Sequence, residues 1–243
     1  MNLFQHVDLY CERASAAFWA EPVNAFSNLS FAVAAWAIWR MLAPERRDPG
    51  RRIPLGVSFT VPLMLAICLG SFAFHTIGTI WAQVLDVAPI AFFVFWYLAV
   101  FLQWFFGLSR ARCLLAVAGF IAFLAAFIAL AGPYIPNRSG TYVPVFLLLV
   151  GLTAVLFRSP DPTLRVHAPT FAWATAAFTV ALVARTADES VCGSFPLGTH
   201  FLWHSFDGLL VYLASRALVL RWRTQTGSTA TEAPADSVLA SGR

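Results

Sequence analysis

Long apolar runs separated by short polar stretches dominate this 243-residue chain. The apolar positions are continuous, unlike the alternating segments of about ten residues that are typical of a transmembrane β-barrel. Because backbone polar groups in lipid must be satisfied within their own segment, the runs predict helices. The predicted fold class is therefore all-α: a polytopic membrane protein with a bundle of seven transmembrane helices. Its predicted spans are 26–43, 54–75, 84–105, 113–131, 141–157, 168–186 and 198–220.

The composition agrees with a membrane protein. Hydrophobic residues make up 59% of the chain and charged residues 12%, with a mean hydropathy of +0.71, whereas an average soluble domain is about 25% charged. These values exclude an ordinary soluble domain and a disordered chain. The formal net charge is +4 and every basic residue is Arg. Since these arginines lie between the apolar runs, we expect a bilayer as the partner and no binding of nucleic acid.

The arginines also predict an orientation. One end of the predicted bundle carries only Arg13, Arg138 and Arg185, and the other end carries Arg40, Arg46, Arg47, Arg51, Arg52, Arg110, Arg112, Arg158, Arg165, Arg221 and Arg223. The positive-inside rule then places the N-terminus outside and the C-terminus in the cytoplasm. Residues 1–223 are predicted to form one membrane domain, and residues 224–243 a disordered cytoplasmic tail. The Ala-rich composition without Lys favours a multi-pass protein of a bacterial inner membrane.

A few polar residues lie inside the predicted spans, all at one depth in the extracytoplasmic half. They are Ser71, His75, Asp86, His200, His204 and Asp207. Ionisable groups inside a bilayer are costly and therefore mark functional sites by default. Ser71 and His75 are four residues apart, as are His200 and His204, so each pair shares a helix face.

Three histidines from two helices suggest a metal site. This is the usual ligand count of a catalytic zinc with an open fourth position, although iron or another divalent metal also fits three histidines. The alternative is that the histidines only form hydrogen bonds within the bundle, with Asp86 stabilised by a helix N-terminus and Ser71 packing as a small residue. Asp207 could orient a metal-binding histidine or recognise a cationic or hydroxylated headgroup.

Three sequence blocks resemble the alkaline ceramidase family. This family lies within a wider group of seven-span hydrolases that includes adiponectin-receptor-like and GPI-remodelling proteins. The blocks are Cys11-Glu12 followed by 20–28 (AEPVNAFSN), 70–75 (GSFAFH) with Asp86 beyond it, and 200–204 (HFLWH). They occur in order at both ends and in the middle of the chain, so the resemblance spans essentially the whole bundle.

The resemblance implies a zinc-dependent hydrolase. His75, His200 and His204 would bind zinc, and a water would attack the amide carbonyl of ceramide or a related N-acyl lipid. Asp86 would take the proton of that water and later pass one to the leaving amine, and Ser71 would hydrogen-bond the oxyanion or orient the water. The products would be a sphingoid-type amine and a fatty acid. The alternatives are an ester lipase or phospholipase of the same superfamily, and a non-enzymatic seven-span receptor with a structural metal.

The resemblance also implies calcium binding in the N-terminal segment, through Asp8, Glu12 and Glu21. This chain departs from the family pattern there, because the segment between the two Glu residues is shorter and Arg13 stands in place of an expected Asn. Calcium takes about six to eight oxygen ligands, so a tight site is not favoured. Glu12 could instead pair with Arg13 or Arg185.

The cysteines fall into two classes. The resemblance includes a disulfide between the N-terminal segment and the loop before the last span, which in this chain would join Cys11 to Cys192. Both residues lie on the predicted outer side, where such a bond is stable. Cys68 and Cys113 fall inside spans and are expected to be small apolar residues.

Overall fold

The computed structural model describes residues 2–227, and its regular secondary structure is helical. The described part contains no β-strand, and the His6–Thr79 pairing is an isolated bridge. Two short 3₁₀ turns, Gly132–Tyr134 and Pro136–Thr141, precede α8. Each predicted span coincides with a helix or a run of helices. The helices are α1 (Pro22–Ser27), α2 (Leu29–Met41), α3 (Ala43–Arg47), α4 (Leu55–Ser58), α5 (Thr60–Ile77), α6 (Ile80–Phe106), α7 (Arg110–Leu130), α8 (Val143–Arg158), α9 (Pro162–Arg165), α10 (Ala168–Val191) and α11 (His200–Gly227).

Among the described residues, four helical segments are long and apolar enough to cross a membrane. They are Leu55–Ile77, Ile80–Phe106, Arg110–Leu130 and Pro162–Val191. Helix α8 is apolar but shorter. A membrane protein is thus supported, while the crossing of all seven segments and the orientation of the termini stay predictions. Helix α11 runs past the predicted domain boundary at Arg223, and residues 228–243 of the predicted tail lie outside the described residues.

The core forms where α2, α5, α6 and α11 meet. Helix α11 packs against α2 and α10, and α5 packs between α2 and α6. Ile38, Met64, Phe101 and Leu218 are fully enclosed there. Cys68 and Cys113 are buried free thiols, as expected. Helix α7 lies at the periphery against α6 and exposes large apolar side chains along its length, an outer surface that suits contact with lipid acyl chains.

Helices α5 and α6 are in close backbone contact at Gly70. A Cβ atom there would lie 2.0 Å from the carbonyl oxygen of Leu85, so only glycine allows this crossing. Ser71 and His75 follow Gly70 on α5, and Asp86 follows Leu85 on α6. The close contact therefore brings these three polar side chains to one level of the bundle.

The N-terminal segment is fastened to the loop before α11. The Cys11–Cys192 disulfide is present, with Cα atoms 5.2 Å apart, which confirms that prediction. The buried Asp188 carboxylate accepts hydrogen bonds from the backbone N–H groups of Cys11 at 3.0 Å, Thr199 at 2.6 Å and His200 at 2.9 Å. Asp188 thereby satisfies donors at the start of α11 and holds the N-terminal segment beside them.

Candidate metal centre

Three buried histidines meet between α5 and α11. One possible ligand atom from each of His75, His200 and His204 lies within 4.8 Å of the others. Their ring centroids are 4.6 to 5.2 Å apart, and no ring is more than 2% exposed. Among residues 2–227, this is the one group of three or more His, Cys, Asp or Glu side chains close enough to share an ion. The structure thus brings the three predicted ligands together.

Glu21 determines which nitrogen of His75 faces the cluster. Its Oε2 lies 2.6 Å from His75 Nδ1, and since a carboxylate only accepts, Nδ1 carries the proton. His75 Nε2 then has a free lone pair, and it is buried without a hydrogen-bond partner in the described structure. Such carboxylate–histidine pairs support metal-binding histidines in proteins. A metal ion at the cluster would satisfy this orphaned nitrogen, so the residues present fit a metal.

Ser27 orients His204 in the same way. The Ser27 hydroxyl donates to the carbonyl oxygen of Asn24 at 2.7 Å, and its oxygen lies 2.7 Å from His204 Nδ1. The hydroxyl has one proton, which Asn24 already receives, so His204 Nδ1–H must be the donor to Ser27. His204 Nε2 is therefore left with the lone pair that a metal needs.

His200 is positioned by stacking. Its ring lies on that of Tyr10 with centroids 3.6 Å apart and planes inclined by 15°. The Tyr10 hydroxyl in turn accepts a hydrogen bond of 2.8 Å from Arg185 Nη1. His200 Nδ1 is buried and has no hydrogen-bond partner among the residues described. With its backbone N–H held by Asp188, His200 is fixed from both sides.

A buried ion pair supports the Glu21–His75 contact. Arg13 Nε donates to Glu21 Oε1, and Arg13 Nη2 donates to the carbonyl oxygen of His75 at 3.1 Å. Asn24 Nδ2 adds a 3.1 Å hydrogen bond to Glu21 Oε2. Burial alone would raise the pKa of Glu21, but the hydrogen bond from His75 and the Arg13 guanidinium outweigh it and hold the pKa below its usual range. Glu21 is therefore an ionised acceptor.

Asp86 and Ser71 lie beside the cluster but outside the group that could share an ion. Both are buried, at 8% and 1% exposure. The Ser71 hydroxyl interacts with the Asp86 carboxylate, and the charge of Asp86 also acts on His75. Within the described structure Ser71 makes no hydrogen bond of normal geometry. Because α6 begins at Ile80, Asp86 sits inside the helix and not at its N-terminus, which removes that alternative role.

Asp207 stands apart from the histidines. It lines an apolar cavity bounded by α2, α5, α6, α7, α8, α10 and α11. The Nδ1 atoms of His75 and His204 are engaged by Glu21 and Ser27, so Asp207 does not orient either ring. Its own Oδ1 is buried without a partner in the part of the chain described.

The three carboxylates suggested for calcium are not brought into one group among the described residues. Glu12 accepts the backbone N–H groups of Val23 at 2.7 Å and Asn24 at 2.8 Å, and so caps the start of α1 instead of pairing with an arginine. Glu21 is taken by its arginine and histidine partners, and Asp8 is exposed. Calcium binding remains a prediction.

The roles of several residues at the site were not predicted from the sequence. Glu21 was considered only as a calcium ligand, and Ser27, Tyr10 and Asp188 received no role at the cluster. Glu21 and Ser27 both belong to the AEPVNAFSN block, so their position near a span start was an available signal. The stacking of Tyr10 gave no signal, since it depends on how the N-terminal segment folds back.

Comparison with known proteins adds one match. A protein-family model described as Ceramidase matches residues 8–233, nearly the whole chain. The match includes the three histidines, Asp86, Ser71 and the network around Glu21. A comparison with curated proteins finds no match.

Proposed function

The chain belongs to the ceramidase family, and from this premise we propose that it is a zinc-dependent intramembrane hydrolase of lipid amides. The proposed reaction cleaves the amide bond of ceramide or a related N-acyl lipid to a sphingoid-type amine and a fatty acid. The observation that carries the proposal is the buried three-histidine cluster with a carboxylate and a hydroxyl beside it. Metal-assisted amide hydrolysis uses a Lewis acid, a nucleophile and a proton carrier in close proximity.

His75, His200 and His204 would hold the zinc ion. When bound, zinc would polarise the amide carbonyl and lower the pKa of a water to about 7. Three neutral imidazoles with one open position are the donor set of catalytic zinc. Non-haem iron oxygenases typically combine two histidines with one carboxylate, and here Asp86 lies outside the group that could share an ion.

Asp86 would transfer the proton of the attacking water, and Ser71 would stabilise the negative charge on the carbonyl oxygen. Asp86 takes the proton of the attacking water as the carbon–oxygen bond forms, and returns it to the amine nitrogen as the carbon–nitrogen bond breaks. Ser71 donates its hydroxyl proton in a hydrogen bond to the carbonyl oxygen, on which negative charge develops. The close α5–α6 contact at Gly70 keeps both groups at the level of the histidines.

An apolar cavity supports a lipid substrate. Its empty volume is about 1090 Å³, including the part open to the surroundings. Phe93 and Leu149 are among the side chains that line it. Val87 and Trp203 also line it, and they directly adjoin Asp86 and His204. The cavity therefore reaches the level of the reacting groups along α6 and α11, and a hydrocarbon chain in it would extend from that level.

We place the histidine cluster on the extracytoplasmic side of a bacterial inner membrane. The arginines concentrated at the other end of the bundle support this orientation through the positive-inside rule. The Cys11–Cys192 disulfide supports it too, because such bonds persist in oxidising compartments.

Catalysis in this proposal does not require calcium. The Arg13 guanidinium already lies against Glu21 and the carbonyl oxygen of His75. It therefore supplies the positive charge that these oxygens would otherwise seek from an added cation. Glu12, the other candidate ligand, is occupied by two backbone N–H groups.

The test compares wild type with Asp86→Asn, measuring zinc content and the hydrolysis of a ceramide and a matched ester lipid. We expect near-stoichiometric zinc in both proteins, and ceramide turnover at least about a hundredfold slower in the variant, the usual size of a general-base effect. Loss of zinc in the variant would contradict the role of Asp86. Hydrolysis of the ester alone would show that the enzyme cleaves ester bonds and not amide bonds. Zinc without turnover of either lipid would favour a receptor with a structural metal.

A further inference from the structure

Asp207 is a carboxylate buried in an apolar cavity. It is 8% exposed, and the cavity wall around it is built mainly from apolar side chains such as Phe31, Val145 and Val211. Its Oδ1 has no hydrogen-bond partner in the described structure. Burying a polar group without a hydrogen-bond partner raises the free energy of the folded state. A molecule in the cavity that donates a hydrogen bond to Asp207 would remove this cost.

The residues that the structure describes do not provide that donor. Asp207 lies outside the histidine group that could share an ion. Arg185 acts on it electrostatically, yet the guanidinium donates to the Tyr10 hydroxyl and lies against the rings of Tyr142 and Trp203. Among residues 2–227 no ion pair joins the two side chains. The charge of Arg185 nevertheless makes a second cation unfavourable there, and so favours a neutral donor over an ammonium group.

We propose that Asp207 accepts a hydrogen bond from a hydroxyl group on the lipid chain that fills the cavity. Asp207 follows His204 by three residues, or about 4.5 Å along the helix axis, which is about the length of three to four carbon–carbon bonds. The hydroxyl therefore lies within a few carbons of the bond that is cleaved. This inference rests on the proposed function, and it narrows the substrate class to N-acyl lipids whose acyl chain carries a hydroxyl close to the amide.

The test uses matched pairs of substrates. Each pair of ceramides differs by one hydroxyl, placed on acyl carbon 2 or on acyl carbon 3. For at least one pair, the wild type should have a kcat/KM about tenfold or more higher on the hydroxylated lipid, because a site built for a hydroxyl rejects the analogue that lacks it. In Asp207→Leu that ratio should fall to about one, and in Asp207→Asn, which keeps an acceptor oxygen, it should stay intermediate.

Val211→Ala is the matched control. Val211 lines the same cavity one turn further along α11 and has no polar group, so this variant should keep the preference of the wild type. A wild type that distinguishes none of the pairs, or an Asp207→Leu variant that keeps the preference, would overturn the proposal.

A second measurement separates this inference from the proposed activity. Zinc-free protein is titrated with hexadecanamide and with its 2-hydroxy and 3-hydroxy derivatives, and thermal stability is followed. At least one hydroxylated amide should raise the melting temperature more than the plain amide in wild type, and the difference should vanish in Asp207→Leu. This result would stand even if no lipid were hydrolysed. Equal shifts for all three amides in wild type would contradict the role of Asp207.

Discussion

Two carboxylate–arginine pairs, each with a buried carboxylate, lie at opposite ends of the segment formed by α1, α2 and α3. At one end Glu21 pairs with Arg13, and at the other Glu45 pairs with Arg223 of α11. Both oxygens of the Glu45 carboxylate accept hydrogen bonds from Arg223, at 2.6 and 2.8 Å. In the Glu21 carboxylate, one oxygen accepts a hydrogen bond from Arg13 and the other accepts one from His75.

The difference shows what makes a buried ion pair functional. A buried pair is by itself weak evidence of stabilisation or of function. The Glu45–Arg223 pair ties α3 to α11 and has no link to the histidines, whereas the Arg13–Glu21 pair fixes the tautomer of a candidate metal ligand. Substitutions at the two ends should therefore separate effects on metal binding from effects on folding.

The largest effect is expected from removing a ligand at the Glu21 end. His204→Ala should lose its zinc and reduce kcat/KM at least about a thousandfold, because the metal contributes several kcal/mol to the transition state. Zinc content and ceramide turnover are measured together. His6→Ala serves as the control, because His6 is exposed and lies outside the cluster. A His204→Ala protein that retained zinc and activity would remove the basis of the comparison.

Glu21→Gln should have the next largest effect. It keeps the shape of the side chain but removes the charge that orients His75, and such supporting groups typically contribute about 10–100-fold to metal affinity or activity. Glu45→Gln, the matched variant, should leave zinc affinity unchanged. Competition titrations with a zinc chelator measure both. Equal losses of zinc affinity in the two variants would mean that the ion pairs do not differ in function.

A third prediction concerns Arg13, whose guanidinium, in the proposed function, takes the place of a calcium ion beside Glu21. Ceramide turnover by the wild type should change less than about twofold when CaCl₂ is added to calcium-depleted protein, since the carboxylates do not form a set of six to eight oxygens. Arg13→Ala leaves the Glu21 carboxylate buried without its cation, which should destabilise the fold by about 3–5 kcal/mol. Turnover assays with and without calcium, and thermal unfolding, measure the two effects. Activation of the wild type severalfold by calcium would show that Arg13 does not replace the cation.

The smallest effect on activity is expected at Glu45. The hydrogen bonds from Arg223 hold the pKa of Glu45 below its usual range. This contribution to stability is therefore present above the ordinary carboxyl pKa and is lost as the pH falls through the lowered value. Glu45→Gln should destabilise the protein at neutral pH by about 1.5–3 kcal/mol and make the loss of stability in acid less steep. Unfolding measured across that pH range would contradict this if both proteins lost stability in parallel.

The helical segments could be predicted because continuous apolar runs, long enough to span a membrane, can be read directly along the sequence. The sequence also predicted the histidine cluster, since i,i+4 spacing and span direction place His75, His200 and His204 at one depth. Glu21 and Ser27 lie in a block that the resemblance singles out, but their contacts with these histidines could not be predicted. Whether Glu21 turns toward Arg13 and His75 or toward solvent depends on the rotation of α1 and on the fold of the N-terminal segment, and neither leaves a periodic pattern in the sequence.

The central claim is that the three histidines hold a zinc ion that serves amide hydrolysis. The most direct test measures zinc content and ceramide hydrolysis on one purified sample of wild type beside His200→Ala. We expect near-stoichiometric zinc and released sphingoid base in wild type, with both lost in the variant. Wild-type protein that was never exposed to a chelator and yet contains no metal would contradict the claim, and the histidines would then be packing residues.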